Sequence, residues 1–299
     1  MKAGARLAIY GAGLVVAFGG AFALAGAVVP DSYVSEWKEG AGAGAHDEGH
    51  GGDEEQAVSH AVNGVSLDAD GFVLSPVQAP RTVGAKGTLS FRILGPMGKP
   101  VTEFTTAHEK DLHLIVVRSD GSRFRHVHPV LDTSTGTWSM PWSWDAAGTY
   151  RVYTDFTPVG EGASGVTLTR TVDVAGDVSP VTTAVRTSDE VDGFTVSLDG
   201  HLRVGSSSKL TISISRDGTP VTAIEPYLGA FGHLVALREG DLAYLHVHAE
   251  GEDPHPGETA GPDIAFAAEA PTAGRYLLYL DFKVDGTVHT AEFVLDAEH

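Results

Sequence analysis

The sequence predicts an all-β protein of two tandem β-sandwiches, preceded by an apolar transmembrane helix and a disordered stalk. Three observations carry this reading. The chain after residue 60 repeats itself in order, at an offset near 120 residues. Within each copy the apolar residues recur with a period of two, as in Leu89-Phe91-Ile93 and Leu210-Ile212-Ile214. No amphipathic helical period follows Val29, whereas turn signals such as Asp120-Gly121, Asp217-Gly218 and Asp285-Gly286 punctuate the chain. About seven short strands per copy suit a sandwich, with a closed barrel as the other option.

The elements follow in order. Lys2 and Arg6 precede an uncharged apolar run from residue 7 to 29, about 35 Å long as a helix and so long enough to span a bilayer. Residues 1–30 are read as a membrane anchor. Ala23-Leu24-Ala25 offers a signal-peptidase site as the alternative, which would release the chain. Basic residues before the run and acidic ones after it place the bulk outside the cytoplasm. Residues 31–60 form a Gly/His/acidic stalk. Its His46 and His50, with His60 close by, sit among acids, either as weak metal ligands or as a plain solvated linker.

The two copies span 61–178 and 185–299. Residues 83–93 (VGAKGTLSFRI) match 204–214 (VGSSSKLTISI), 112–129 match 232–249, and 147–156 (AGTYRVYTDF) match 273–282 (AGRYLLYLDF). Each copy has the size of an ordinary domain.

Composition narrows the chemistry. The 39 Asp and Glu outnumber 20 Lys and Arg, for a formal charge of -19, which opposes nucleic acid as a partner and favours cations. The absence of cysteine excludes disulfides, thiolate metal sites and a thiol nucleophile. No phosphate loop, Ser–His–acid pattern or paired carboxylates point to catalysis, so the chain is read as a non-enzyme.

Histidine is the informative residue. His113, His126 and His128 in copy one have the same spacing as His233, His246 and His248 in copy two. A tight hairpin at Asp120-Gly121 sets Ile115 opposite His126 and His113 opposite His128. The matching turn at Gly240-Asp241 sets His233 opposite His248. Directly opposed side chains, and those at i and i+2, share a sheet face, so each triad converges. Three imidazoles suit copper, or alternatively zinc. Asp155 and Asp281, in the repeated Tyr-x-Asp-Phe strands, are candidates as ligands, as acceptors orienting an imidazole, or as turn caps. Met140 is a possible soft ligand in copy one alone, where copy two has Phe266. Structural packing is the competing reading of all six histidines. His108, His201, His255, His289 and His299 have no repeat partner and are read as surface residues. Trp138, Trp142 and Trp144 are read as packing residues.

The run HLIVVRSDGSRFRHVHP, the AGTYRVYTDF strand and YLGAFGHLVALREGDLAYLHVHAEG together resemble exported bacterial heavy-metal-binding proteins with YtkA-like or CopC-like domains. The resemblance implies Ig-like sandwiches and copper or heavy-metal handling in the envelope; a membrane transporter or other envelope protein is the partner expected if the domains act as an interaction module. It nominates His113, His126 and His128, and then His233, His246 and His248. Copy two departs in having Ala249 where copy one has Pro129. The expectation is a membrane-tethered copper or zinc buffer or carrier. The alternative is a tandem Ig-like module that docks a membrane partner, its histidines structural.

Overall fold

The computed structural model describes residues 64–160, 162–245, 247–251, 253–255 and 257–298, all within one compact unit, Ser59–His299. The expected anchor and stalk lie outside the described residues, as do His246 and His299. Among the described residues every regular element is a strand, and no helix is long and apolar enough to cross a membrane.

Repeat one contains β1 (Asp68–Ala69), β2 (Phe72–Leu74), β3 (Gly87–Leu94), β4 (Phe104–Thr105), β5 (His113–Arg118), β6 (Arg125–Val127), β7 (Val130–Asp132), β8 (Thr137–Trp142), β9 (Gly148–Pro158) and β10 (Val166–Val174). One sheet runs β1-β2-β3-β8-β7. The other runs β10-β9-β5-β6, with β4 against β9. Repeat two contains β11 (Ser188–Val191), β12 (Phe194–Asp199), β13 (Leu202–Arg203), β14 (Ser207–Arg216), β15 (Thr219–Pro220), β16 (His233–Arg238), β17 (Tyr244–Leu245), β18 (Val247–Ala249), β19 (Asp263–Glu269), β20 (Gly274–Val284) and β21 (Thr287–Glu298). Its sheets run β11-β12-β14-β19-β18 and β13-β21-β20-β16-β17. Each repeat is thus two separate sheets, not a closed barrel.

Alternation builds the cores. In β3, Leu89, Phe91 and Ile93 turn inward and meet Leu114, Val116 and Val152 of the facing sheet, with Trp138, Trp142 and Trp144 filling the space between. In β14, Leu210, Ile212 and Ile214 do the same against Leu278, Leu280 and Phe293. Both repeats carry a tyrosine corner. The hydroxyl of Tyr150 donates to the carbonyl of Ala146 at 2.8 Å, and that of Tyr276 to Thr272 at 2.9 Å. This back-bond, four residues upstream at the start of a central strand, is an Ig-like hallmark. The all-β tandem Ig-like expectation is met.

β5 and β16 are buried along both faces. Leu114 and Val116 enter the core of repeat one, while Ile115 and Val117 form a separate apolar seam with Tyr153, Val235, Leu237, Leu277, Tyr279 and Val294. The seam joins the repeats through equivalent sheets, and its contacts are reciprocal. The hydroxyl of Tyr153 donates to the Leu242 carbonyl at 2.6 Å, and that of its counterpart Tyr279 donates to the Gly121 carbonyl. Phe124 stacks on Tyr279 with centroids 4.0 Å apart, and Tyr244, its counterpart, lies 6.0 Å from Tyr153.

The hairpin loop of repeat one is closed by Arg118, which grips Asp120 with two donors at 2.9 and 2.7 Å. Asp120 also accepts from the Ser122 hydroxyl and from the Val181 amide, tying the inter-repeat linker down. Burial works against its ionised form, but Arg118, the Val181 amide and Ser122 together outweigh burial and hold the carboxyl well below the usual range. A depressed pKa stabilises the fold above the unfolded-state value and loses that contribution as pH falls. Asp120→Ala is therefore expected to cost about 2 kcal/mol at neutral pH. The gap to the wild type should narrow as denaturant titrations move below about pH 4.

Candidate metal centre

The period-two pattern of β5 and β6 sets the histidine geometry. Ile115 lies opposite His126, as the spacing requires, and Leu114 lies opposite Val127. The connecting loop is not a two-residue turn: Gly121 and Arg123 both take positive φ, yet the register is kept. Pro129 has no N–H for the ladder, and pairing ends before His128. The chain then crosses to the other sheet as β7. His128 stays at the crossing, beside His113.

One donor nitrogen each from His113, His126 and His128 lies within 4.8 Å of the others. Nδ1 of His113 is 3.0 Å from Nε2 of His126 and 3.2 Å from Nε2 of His128. The opposite nitrogens are committed. His113 Nε2 donates to the Ala107 carbonyl at 3.1 Å, and His126 Nδ1 donates to Asp281 Oδ2 at 2.9 Å. With Nδ1 of His126 bonded to Asp281, its Nε2 faces His113 Nδ1 at 3.0 Å: a proton on that Nε2 makes the contact a hydrogen bond, and a bare Nε2 presents a lone pair to a cation.

Burial above all, then the neighbouring His126, holds His113 down to about 3, against a partial upward pull from the Ala107 carbonyl. Burial and then His126 likewise lower His128 to about 3. Both rings are therefore neutral near pH 7, the form that ligates metals. Bonds of about 2.0–2.1 Å at tetrahedral angles separate donor atoms by about 3.3–3.4 Å, so the two separations from His113 Nδ1 need to open only a few tenths of an ångström to take zinc or copper.

Repeat two is arranged differently. β16 and β17 keep the matching register at Ala236–Leu245 and Leu237–Tyr244. β18 has already crossed, and His248 stands opposite Ala267 of β19 instead of opposite His233. The expected His233–His248 pairing is corrected. Where Pro129 ends pairing in repeat one, Ala249 extends a ladder with Phe266 on the far sheet. His233 follows His113 in one respect, donating from Nε2 to a turn carbonyl, that of Leu228, at 3.0 Å. Burial above all lowers it to about 4. Its ring lies 6.4 Å from that of His113 and 5.3 Å from that of His108.

The two aspartates occupy equivalent rungs, Asp155 opposite His113 and Asp281 opposite His233. Asp281 serves the other repeat's histidine and accepts from Thr290 Oγ1 at 2.6 Å. Asp155 accepts from Thr167 Oγ1 at 2.9 Å. Neither caps a turn. Met140 lies on β8, in the opposite sheet, where it packs on the core of repeat one. His108 is exposed, as expected of it, but helps line a cavity of about 220 Å³ with His113, His126, Asp155 and His233. His289 is a second correction: it is buried and bonded to Asp192 at 2.7 Å.

No curated protein matches the chain. Among solved structures it is similar to the Escherichia coli adhesin FdeC, at 12% identity and a TM-score of 0.23, covering 78% of this chain and 66% of that one. The Yersinia pseudotuberculosis adhesin InvE gives 11% and 0.21, over 75% and 58% of the two chains. Invasin, a bacterial integrin-binding protein, gives 12% and 0.21, over 76% and 39%. The chain thus spans two thirds or less of each structure. Superpositions this poor transfer no property of those proteins. No metal-binding family is shown, and the YtkA-like or CopC-like likeness remains a resemblance. Residues 68–176 and 189–299 each match one family, and the chain belongs to it: Domain of unknown function (DUF8832), present here as two copies.

Proposed function

We propose that this is an extracytoplasmic metal-binding protein that holds copper, or alternatively zinc, at His113, His126 and His128. The observation that carries the reading is the convergence of one ring nitrogen each from His113, His126 and His128 within 4.8 Å of one another. Three imidazoles leave a fourth position for solvent or a small ligand, and both metals accept that set. The charge of -19 raises the local cation concentration. A buffering or delivery role, tethered outside the membrane, is the function we attach to this site. No reaction is assigned.

One observation favours a second reading, a tandem Ig-like module that docks an envelope partner. A proton on His126 Nε2 would bridge His113 as well as a metal does, making the histidines an internal clamp. Titration separates the two. The chain with His46, His50 and His60 replaced by glutamine should bind one tight equivalent of Cu(II) or Zn(II) in chelator competition. His128→Gln should weaken it at least 100-fold with the fold intact. Binding no tighter than that of a generic histidine-bearing protein would leave the clamp reading and sink the metal one.

A further inference from the structure

His126 and Asp281 are 155 residues apart in sequence and belong to different repeats, yet their side chains bond directly at 2.9 Å. Their side chains are only 3% and 4% exposed. Asp281 is itself fixed, since Thr290 holds Oδ1 and leaves Oδ2 for His126. The ring of His233, also from repeat two, lies 6.4 Å from that of His113 at an interplanar angle of 28°. All three proposed ligands come from repeat one, but the group that sets the tautomer of the central one comes from repeat two.

We infer that the metal position is a composite site, liganded by repeat one and completed by Asp281 of repeat two, so that metal binding and repeat docking form one linked equilibrium. This rests on the metal reading above. A carboxylate behind a ligating imidazole fixes the ring and raises its basicity, and losing such a partner typically costs 10- to 100-fold in affinity. Linkage is reciprocal: if docking improves the site, an ion in the site tightens docking. Asp281 is thus a positioning residue and not a ligand, and each chain has a single such site among the described residues.

The test compares the full chain with Asp281→Asn, using Cu(II) and Zn(II) against a competing chelator. Hydrogen exchange is measured with and without metal. The expected result is at least a 10-fold loss of affinity in the variant. In the wild type, metal should slow exchange in β20 and β21 of repeat two as well as in β5 and β6. A wild type that binds no metal tightly overturns the metal reading itself. A wild type that binds, with Asp281→Asn unchanged or protection confined to repeat one, overturns the composite site alone. If Asp281→Asn does not fold, the wild-type exchange pattern decides: no metal-induced protection in β20 and β21 rejects the inference.

Discussion

Tyr153→Ala should lower the unfolding free energy by about 4 kcal/mol, the upper range for emptying a large aromatic from a closed site. The side chain is fully buried and belongs to the seam between repeats. Its hydroxyl donates to the Leu242 carbonyl, so the substitution also strands a buried acceptor. Tyr153→Phe removes the hydroxyl alone and should cost about 1–2 kcal/mol. Denaturant unfolding followed by tryptophan fluorescence and far-UV circular dichroism gives both values. All the tryptophans of the described residues lie in repeat one, while dichroism sees both repeats. Coincident transitions in the wild type and separated ones in Tyr153→Ala are expected, because the seam couples the sandwiches. A loss below 1 kcal/mol for the alanine variant would show that the seam contributes little.

His126→Ala should have the second large effect, on two quantities at once. It removes the central proposed ligand, so the tight metal equivalent should disappear. It also withdraws the hydrogen bond to Oδ2 of buried Asp281, whose Oδ1 keeps the bond from Thr290. The apo protein should lose about 2–3 kcal/mol for that reason. His128→Ala should abolish tight metal binding equally but cost under 1 kcal/mol, because His128 bonds within the cluster and supports no charge. Equal apo stabilities for the two variants would contradict the assigned role of the Asp281 contact.

Much of this arrangement was legible in the sequence. Alternation at 89–93 and 210–214 gave sheet faces, and the repeated hairpins gave a register that both copies keep. The meeting of His113, His126 and His128 follows from that register and from Pro129, whose missing N–H is readable directly. What the sequence reading missed depends on contacts far apart in the chain. His233 and His248 should have faced each other by the same arithmetic, but a strand with no proline is free to pair with β19, and that ladder prevailed. Asp281 was assigned to its own repeat because nothing local shows that β5 and β16 pack against each other. The unbroken apolar run Leu114 to Val117 was the available sign, since a strand with one solvated face would alternate more cleanly. His289 was misread for the same reason, its burial depending on Asp192 and on Phe194 and Phe282 around its ring.

The reciprocal tyrosine contacts have an evolutionary consequence. When residue i of one unit meets j of the other and j meets i, the contact is isologous, the kind that two identical chains make in a symmetric dimer. Two copies of a single sandwich meeting through this face would make the same pair of contacts. Joining both units in one polypeptide removes the need for sameness: each half now accumulates substitutions that its partner need not share. The exchange of Pro129 for Ala249 is such a substitution, and it leaves the halves specialised, one to gather imidazoles and the other to brace them.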